Sequence, residues 1–237
     1  MNHLSFSQIK SFRDCEKMWY CKSVLKEETA PSEAANRGTQ FDQMVAHRLG
    51  LGNAPTDPLI DRVEEAVSFY LLNGGWDRAT EAQKKIEISP NTWDVYREIY
   101  GVDWLLPAPL VGYVDLFRTD ETGFRSELVD LKTSERAEFR PEWSLQCSLY
   151  ALVTRAAVWH VHLLTFTKLI KLVKYSFRPS DSTFSWAMNI IGSTADRMKH
   201  VEREKTVSKI PATPGYYCRW CSRGTNCEGS LVGGLTA

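Results

Sequence analysis

Charge of one sign is what this 237-residue chain most plainly lacks: 29 Lys and Arg balance 29 Asp and Glu, so the formal net charge is zero. No global field draws a polyanion, and any nucleic-acid contact must come from a local patch. Long apolar runs are missing as well. No stretch of about 18 apolar residues is available to span a bilayer, and the opening MNHLSFSQIK has no apolar core of signal-peptide length. The expectation is a cytoplasmic protein with no membrane contact. Nor is there an internal repeat or a low-complexity tract. Hydrophobic residues at 43% and charged residues at 24% exclude a disordered, collagenous or coiled-coil chain.

At roughly 150 residues per domain the length allows one domain or two. We read one, residues 1–237, with a helical region over about 1–95, a core over about 96–208 and a cysteine-rich tail over 209–237. Helical spacing of Ile9, Phe12 and Trp19 predicts a helix from Leu4 to Cys21 capped by Ser5 or Ser7. Further helices are expected over Glu33 to Leu49 and Asp61 to Leu72. The pattern then turns to short β-rich runs, Ile99 to Leu105, Leu110 to Phe117 and Phe124 to Leu131, read as an antiparallel meander with a turn at residues 119–123. Helix returns over Glu142 to Ala157, strands follow over Val158 to Thr167 and Ile170 to Phe177, and Ser180 to about Glu204 can form a long helix.

The most informative stretch is Gly112-Tyr113-Val114-Asp115, followed by Glu127-Leu128-Val129-Asp130-Leu131-Lys132-Thr133-Ser134. Asp130 and Lys132 stand two apart in a strand, so both side chains leave one face while Leu131 leaves the other. Pairing of the two strands brings Asp115 beside them. Two carboxylates suit a hard divalent cation such as Mg or Mn, and a lysine near its bound water suits phosphodiester hydrolysis. A lone Asp-x-Lys is usually a solvated pair of charges. Here the apolar run Leu128-Val129-Asp130-Leu131 makes burial of an unpartnered charge costly.

These segments resemble the second and third motifs of the PD-(D/E)XK nucleases, and specifically of the RecB-like exonucleases. Gln146-Cys147-Ser148-Leu149-Tyr150 resembles that family's Gln-x-x-x-Tyr motif, and all three occur in family order. The resemblance implies an α/β fold, a restriction-endonuclease-like core of a central mixed sheet flanked by helices. It implies Asp115 and Asp130 as metal ligands, Lys132 as catalytic lysine, and Gln146 and Tyr150 as residues that organise the site or contact DNA. The family commonly places a histidine four residues after a glycine in the second helix; here Gly38 is followed at that offset by Asp42, with His47 five residues later. Carboxylate oxygen suits Mg or Mn at least as well as imidazole, so Asp42 is preferred and His47 is the alternative. His3, His160, His162 and His200 match no motif and are read as surface or packing residues.

Six cysteines in a reducing compartment are thiols or metal ligands rather than disulfides. Cys218, Cys221 and Cys227 have C-x2-C-x5-C spacing, a metal signal that lacks a local fourth ligand. Cys15 resembles the single N-terminal cysteine of the iron-sulfur branch of the RecB-like family, which includes AddB-type subunits and CRISPR-associated exonucleases. That likeness implies a 4Fe-4S cluster on Cys15, Cys218, Cys221 and Cys227, a clasp between the first helix and the tail. Spacing alone leaves structural zinc open. Cys21 and Cys147 are left as buried free thiols. The functional expectation is a metal-dependent DNA exonuclease acting at least on single strands. The alternative is a catalytically silent DNA-binding or adaptor protein serving a helicase or a CRISPR integration complex.

Overall fold

The computed structural model describes residues 2–27, 31–74, 76, 79–119, 122, 126–166, 168–223 and 227. Packing divides the chain into two compact units. The first is built from Met1–Ala30, Glu87–Val111 and Met188–Ala237, the second from Pro31–Ile86 and Gly112–Ala187. Among the described residues no helix is long and apolar enough to cross a membrane.

In the first unit, β1 (Leu4–Ser5) pairs in parallel with the opening residues of β3 (Leu110–Thr119), Leu4 against Leu110 and Ser5 against Val111. The single helix expected from Leu4 to Cys21 is instead β1 followed by α1 (Phe6–Asp14) and α2 (Glu16–Ser23). Cap chemistry decides the breaks. Ser5 accepts from Gln8 N–H while the Gln8 side chain accepts from Ser5 N–H, a reciprocal box that starts α1. Cys15 is extended, with φ −162° and ψ 116°, and its Sγ accepts from Met18 N–H as the cap of α2.

The strand expected over Ile99 to Leu105 is also corrected, because its first residues end a helix, α5 (Pro90–Tyr100). Ser89 accepts from Thr92 N–H, Pro90 fills the first turn where its missing N–H is no loss, and Gly101 at φ +64° stops the helix. The β-branched residues at its end promised a strand, but both caps are helical. Trp93 is fully buried and donates from Nε1 to Trp104 O at 2.9 Å. The last helix, α7 (Asp181–Glu202), brings Gly192 against this pair, where a Cβ would stand 2.5 Å from Trp104 Cβ.

In the second unit, β3 and β4 (Ser126–Ser134) run antiparallel, from Thr119 against Ser126 to Leu116 against Val129. Most of the turn expected over 119–123 lies outside the described residues, as do Phe124 and Arg125. After β4, α6 (Pro141–Thr154) crosses over so that β5 (Ala156–Phe166) pairs in parallel with β4 along its length, and β6 (Ile170–Phe177) returns antiparallel. A strand inside the expected helical region, β2 (Glu81–Ile88), pairs with β3. Its charged residues obscured an alternation in which only Ile86 and Ile88 are deeply buried.

The sheet is thus mixed and covered on both faces. On one, α3 (Glu33–Arg48) and α4 (Val63–Asn73) bury Phe41, Val45, Val67 and Tyr70 against Leu116, Val129, Leu131 and Leu164. On the other, α6 packs against β4 and β5. Val129 and Leu131 belong to the first core, so period-two alternation sends Asp130 and Lys132 to the α6 side.

Gly192→Ala tests the packing of α7. Its gain in helix propensity is about 1 kcal/mol, but the added methyl must displace Trp104, at a cost of about 1–3 kcal/mol. The urea midpoint is expected to fall, and an unchanged or raised midpoint would show that Trp104 yields freely.

Candidate active site

Four charged residues from three elements of the second unit share one field. Asp42 is in the third turn of α3, Asp115 is in β3, and Asp130 and Lys132 are in β4. Two glycine positions set the approach. Gly38 lies one turn before Asp42, and a Cβ there would stand 3.0 Å from Thr133 Oγ1, so α3 passes close over β4 just beyond Lys132. Gly112 is covered by the Tyr150 ring, and a Cβ there would overlap Tyr150 Oη at 2.4 Å. That same Oη accepts from Tyr113 N–H at 3.2 Å and from Gln146 Nε2 at 3.0 Å. The Gln-x-x-x-Tyr pair on α6 therefore pins the β3 backbone two residues ahead of Asp115.

Asp115 immediately precedes Leu116, the last β3 residue paired with β4 on that side, and spends its carboxylate on the backbone. Oδ2 accepts from Leu131 N–H at 2.7 Å and Oδ1 accepts from Gln83 Nε2 at 3.1 Å. Gln83 has φ +50°, a left-handed conformation that a non-glycine residue adopts at a cost and that re-aims its side chain. Asp130 is 2% exposed, and its Oδ2 lies 2.7 Å from Lys132 Nζ. The contact is an ion pair without an aligned hydrogen bond, so this buried oxygen keeps acceptor capacity unused.

The electrostatics follow from crowding and burial. Burial first, then Asp115 and Asp130, push the Asp42 carboxyl well above the ordinary range, with Lys132 opposing. Burial and Asp130 push Asp115 up to about 7, against Lys132, Leu131 N–H and Gln83. Asp130 is raised by burial, with Lys132 opposing. Burial works against the Lys132 charge, but Asp130 and Asp115 outweigh it and the ammonium holds its proton above the usual lysine range.

Three neighbours escaped sequence reading. Gln83 lies on the unrecognised β2. Tyr70, fully buried on α4, donates to or accepts from His162 Nδ1 at 3.0 Å, and its hydroxyl is raised by burial, then by Asp115 and Asp42. Cys147, between the two motif residues of α6, is fully buried and its thiol is raised by burial and then by Asp130. Only Cys147 carried a signal, its place inside the Gln-x-x-x-Tyr motif. His47, by contrast, is exposed at the end of α3, with Nδ1 3.4 Å from Gly52 O. His162 is 2% exposed, and burial, then His160, lower its imidazole to about 3, as suits a packing residue.

The other five cysteines lie in the first unit. Cys15 Sγ accepts from Met18 N–H at 3.5 Å and from Thr213 N–H at 3.4 Å, and Cys218 Sγ accepts from Gly215 N–H at 3.4 Å. The Cys221 thiol is raised by burial, and Cys15, Cys227 and Cys218 add to the rise. Residues 224–226 and 228–237 of the tail lie outside the described residues. Cys21 is buried, its thiol pushed up to about 11 by burial and Glu27. Among the described residues no group of three or more His, Cys, Asp or Glu closes around an ion position. The donor chemistry nevertheless fits: hard oxygens with an unused buried acceptor at Asp130, and thiols already receiving backbone N–H groups.

The raised carboxyls make a stability claim for the metal-free protein. An acid whose folded value lies above its ordinary 3.8 costs the fold in full above the folded value, here about 7 for Asp115, and nothing below 3.8. Asp115→Asn removes that charge, and its amide can face Gln83 once the Gln83 amide turns over. Its thermal midpoint in chelator is expected to exceed wild type by several degrees at pH 8 and by less at pH 5, read by calorimetry. A lower midpoint at pH 8 would show that the crowded charge is not a burden.

Residues 3–228 match the PD-(D/E)XK nuclease superfamily. No curated protein matches the chain. Among solved structures, a putative exonuclease from Eubacterium rectale is similar at TM-score 0.59 and 12% identity, covering 89% of this chain and 84% of its own. LHK-Exo, the alkaline exonuclease of Laribacter hongkongensis, in complex with dAMP, is similar at TM-score 0.47 and 10% identity, covering 84% of this chain and 89% of its own. At such identities these are likenesses of fold, whereas the superfamily match runs through both units and every candidate residue from Asp42 to Cys227. The chain belongs to the PD-(D/E)XK nuclease superfamily.

Proposed function

We propose that the chain is a metal-dependent deoxyribonuclease that removes nucleotides from DNA ends, acting at least on single strands. The observation that carries this is the gathering of Asp42, Asp115 and Lys132, each partly exposed, around the buried Asp130, from α3, β3 and β4. A silent adaptor needs no such crowding, which costs the fold stability. The exonuclease relatives supply the preference for ends.

Asp42, Asp115 and Asp130 would hold Mg or Mn, which when bound polarises the phosphate and acidifies a water. The remaining work belongs to the chain. Asp115 is oriented by Leu131 N–H and Gln83, so its carboxylate cannot swing away. Lys132, held by Asp130, presents its ammonium to orient the attacking water and offset charge on the phosphate oxygens. Gln146 and Tyr150 keep β3 in place beneath the strand of DNA. In the first unit, Cys15, Cys218, Cys221 and Cys227 would hold a 4Fe-4S cluster, preferred by family resemblance over zinc, as a clasp between α2 and the tail rather than as a catalyst.

Asp115→Ala, Asp130→Ala and Lys132→Ala are each expected to lower kcat/KM on single-stranded DNA by about a thousandfold, with far-UV circular dichroism preserved. Mg or Mn should support cleavage and Ca alone should not, because Ca tolerates looser geometry. Undiminished cleavage by Lys132→Ala would remove the basis of the assignment. In calorimetric titration with Mn, Asp42→Ala should weaken binding far more than His47→Ala, and the reverse order would move that ligand to His47.

The cluster is tested separately. Anaerobically purified protein should be brown and hold about four irons per chain, and Cys15→Ala should bleach it while Cys21→Ala does not. A colourless preparation with one zinc per chain would refute the cluster and leave the nuclease site standing.

A further inference from the structure

Gln83 stands where the backbone favours glycine. Its φ is +50°, in the left-handed region that a residue with a Cβ enters at a cost. Among the described residues three other non-glycine positions have a positive φ, but Arg62 and Arg155 cap helices and Lys26 lies outside any regular element. Gln83 alone has it inside a strand, β2. Burial does not reward the residue either, because Gln83 is exposed. What its side chain makes is a hydrogen bond, Nε2 donating to Asp115 Oδ1 at 3.1 Å. A glycine would relax the backbone and lose that donor.

The donor completes a clamp. Leu131 N–H, on β4, holds Asp115 Oδ2 at 2.7 Å. A carboxylate held at one oxygen can still swing the other, whereas one held at both, from two different strands, keeps a single orientation. Each oxygen also spends one of its lone pairs on its donor. The Leu131 donor is backbone, so Gln83 is the half of the clamp that a substitution can open. Rigidity of this kind discriminates between ions. Mg binds at about 2.1 Å, demands near-octahedral geometry and is served by ligands already in place. Ca binds at about 2.4 Å with about 6–8 oxygens in a flexible shell, to which carboxylates turn, often presenting both oxygens at once. A clamped Asp115 suits the first ion and resists the second.

We propose that Gln83 sets the choice of ion: it is a positioning residue that acts through Asp115 and tilts the centre toward Mg and against Ca. This rests on the metal-dependent nuclease reading and names what selects its ion. The strained backbone belongs to the same device, since it aims the amide at Asp115 from an exposed strand.

The test uses the full-length chain, dialysed against chelator and titrated calorimetrically with Mg and with Ca. The binding counted is the heat that Asp130→Ala abolishes. Gln83→Met keeps the length of the side chain and loses the donor. It should lower the Mg affinity about tenfold, as loss of a hydrogen bond to a metal ligand does, and leave the Ca affinity unchanged or higher. The ratio of Mg to Ca affinity should therefore fall about tenfold. Gln83→Gly should show the same fall, although glycine takes the backbone conformation freely. A ratio kept in Gln83→Met overturns the proposal. So does an equal fall in both affinities, the mark of a merely structural role. A ratio kept in Gln83→Gly but lost in Gln83→Met also overturns it, since the amide is absent from both. Wild type that binds neither ion overturns the metal-dependent reading and the choice of ion together. Wild type that binds Mg but cuts no single-stranded DNA overturns the nuclease reading alone, and the titrations still decide Gln83.

Discussion

Like charges crowd where β3 and β4 meet, and the second unit is arranged so that they have no escape. Burial is the main cause that raises the proton affinity of Asp42, Asp115 and Asp130; Asp115 and Asp130 add to it at Asp42, Asp130 adds to it at Asp115, and one ammonium opposes all three. Water would relieve such a cluster by screening it, but Asp130 is almost fully enclosed. The remaining relief is a proton or a cation. Under the proposed function, that relief is the positive ion the three carboxylates would hold.

The restraints on that cluster are mostly neutral. Leu131 N–H and the Gln83 amide fix Asp115, while Tyr150 and Gln146 fix the strand that bears it. Close packing is used where a hydrogen bond would be too soft. Gly38 and Gly112 remove a Cβ where α3 meets β4 and where the Tyr150 ring meets β3, so either position would push a charged residue out of place if a side chain were added.

What could be read in the sequence was local or periodic. Asp130 and Lys132 share a face because a strand alternates, and Val129 and Leu131 lie in the opposite core for the same reason. Ile170–Phe177 was legible to the residue, since alternation and turn residues agree there. Elsewhere two local signals conflicted. Cys15 sits inside a good helical spacing, yet its extended backbone splits the helix, and Ile99 carries strand propensity inside a helix fixed by Ser89, Pro90 and Gly101. Gln83, Tyr70 and Cys147 were beyond reach for another reason. Each arrives at the carboxylates from a different element by tertiary packing, and no spacing along the chain encodes that meeting.

The parallel ladder between β4 and β5 carries a consequence for biosynthesis. Ser126 to Ser134 is matched along its length by Ala156 to Thr165, and the two strands are joined through α6. Such a pairing cannot zip from a tight turn, because the crossover must close first. While β5 is still inside the ribosome, β4 has one neighbour instead of two, and α6 has no completed sheet to lie on. Asp130 and Lys132 then hang on an unfinished strand, with Gln146 and Tyr150 not yet seated. The nascent chain exposes its acidic residues long before it can hold them together, so the competent centre is a late product of translation.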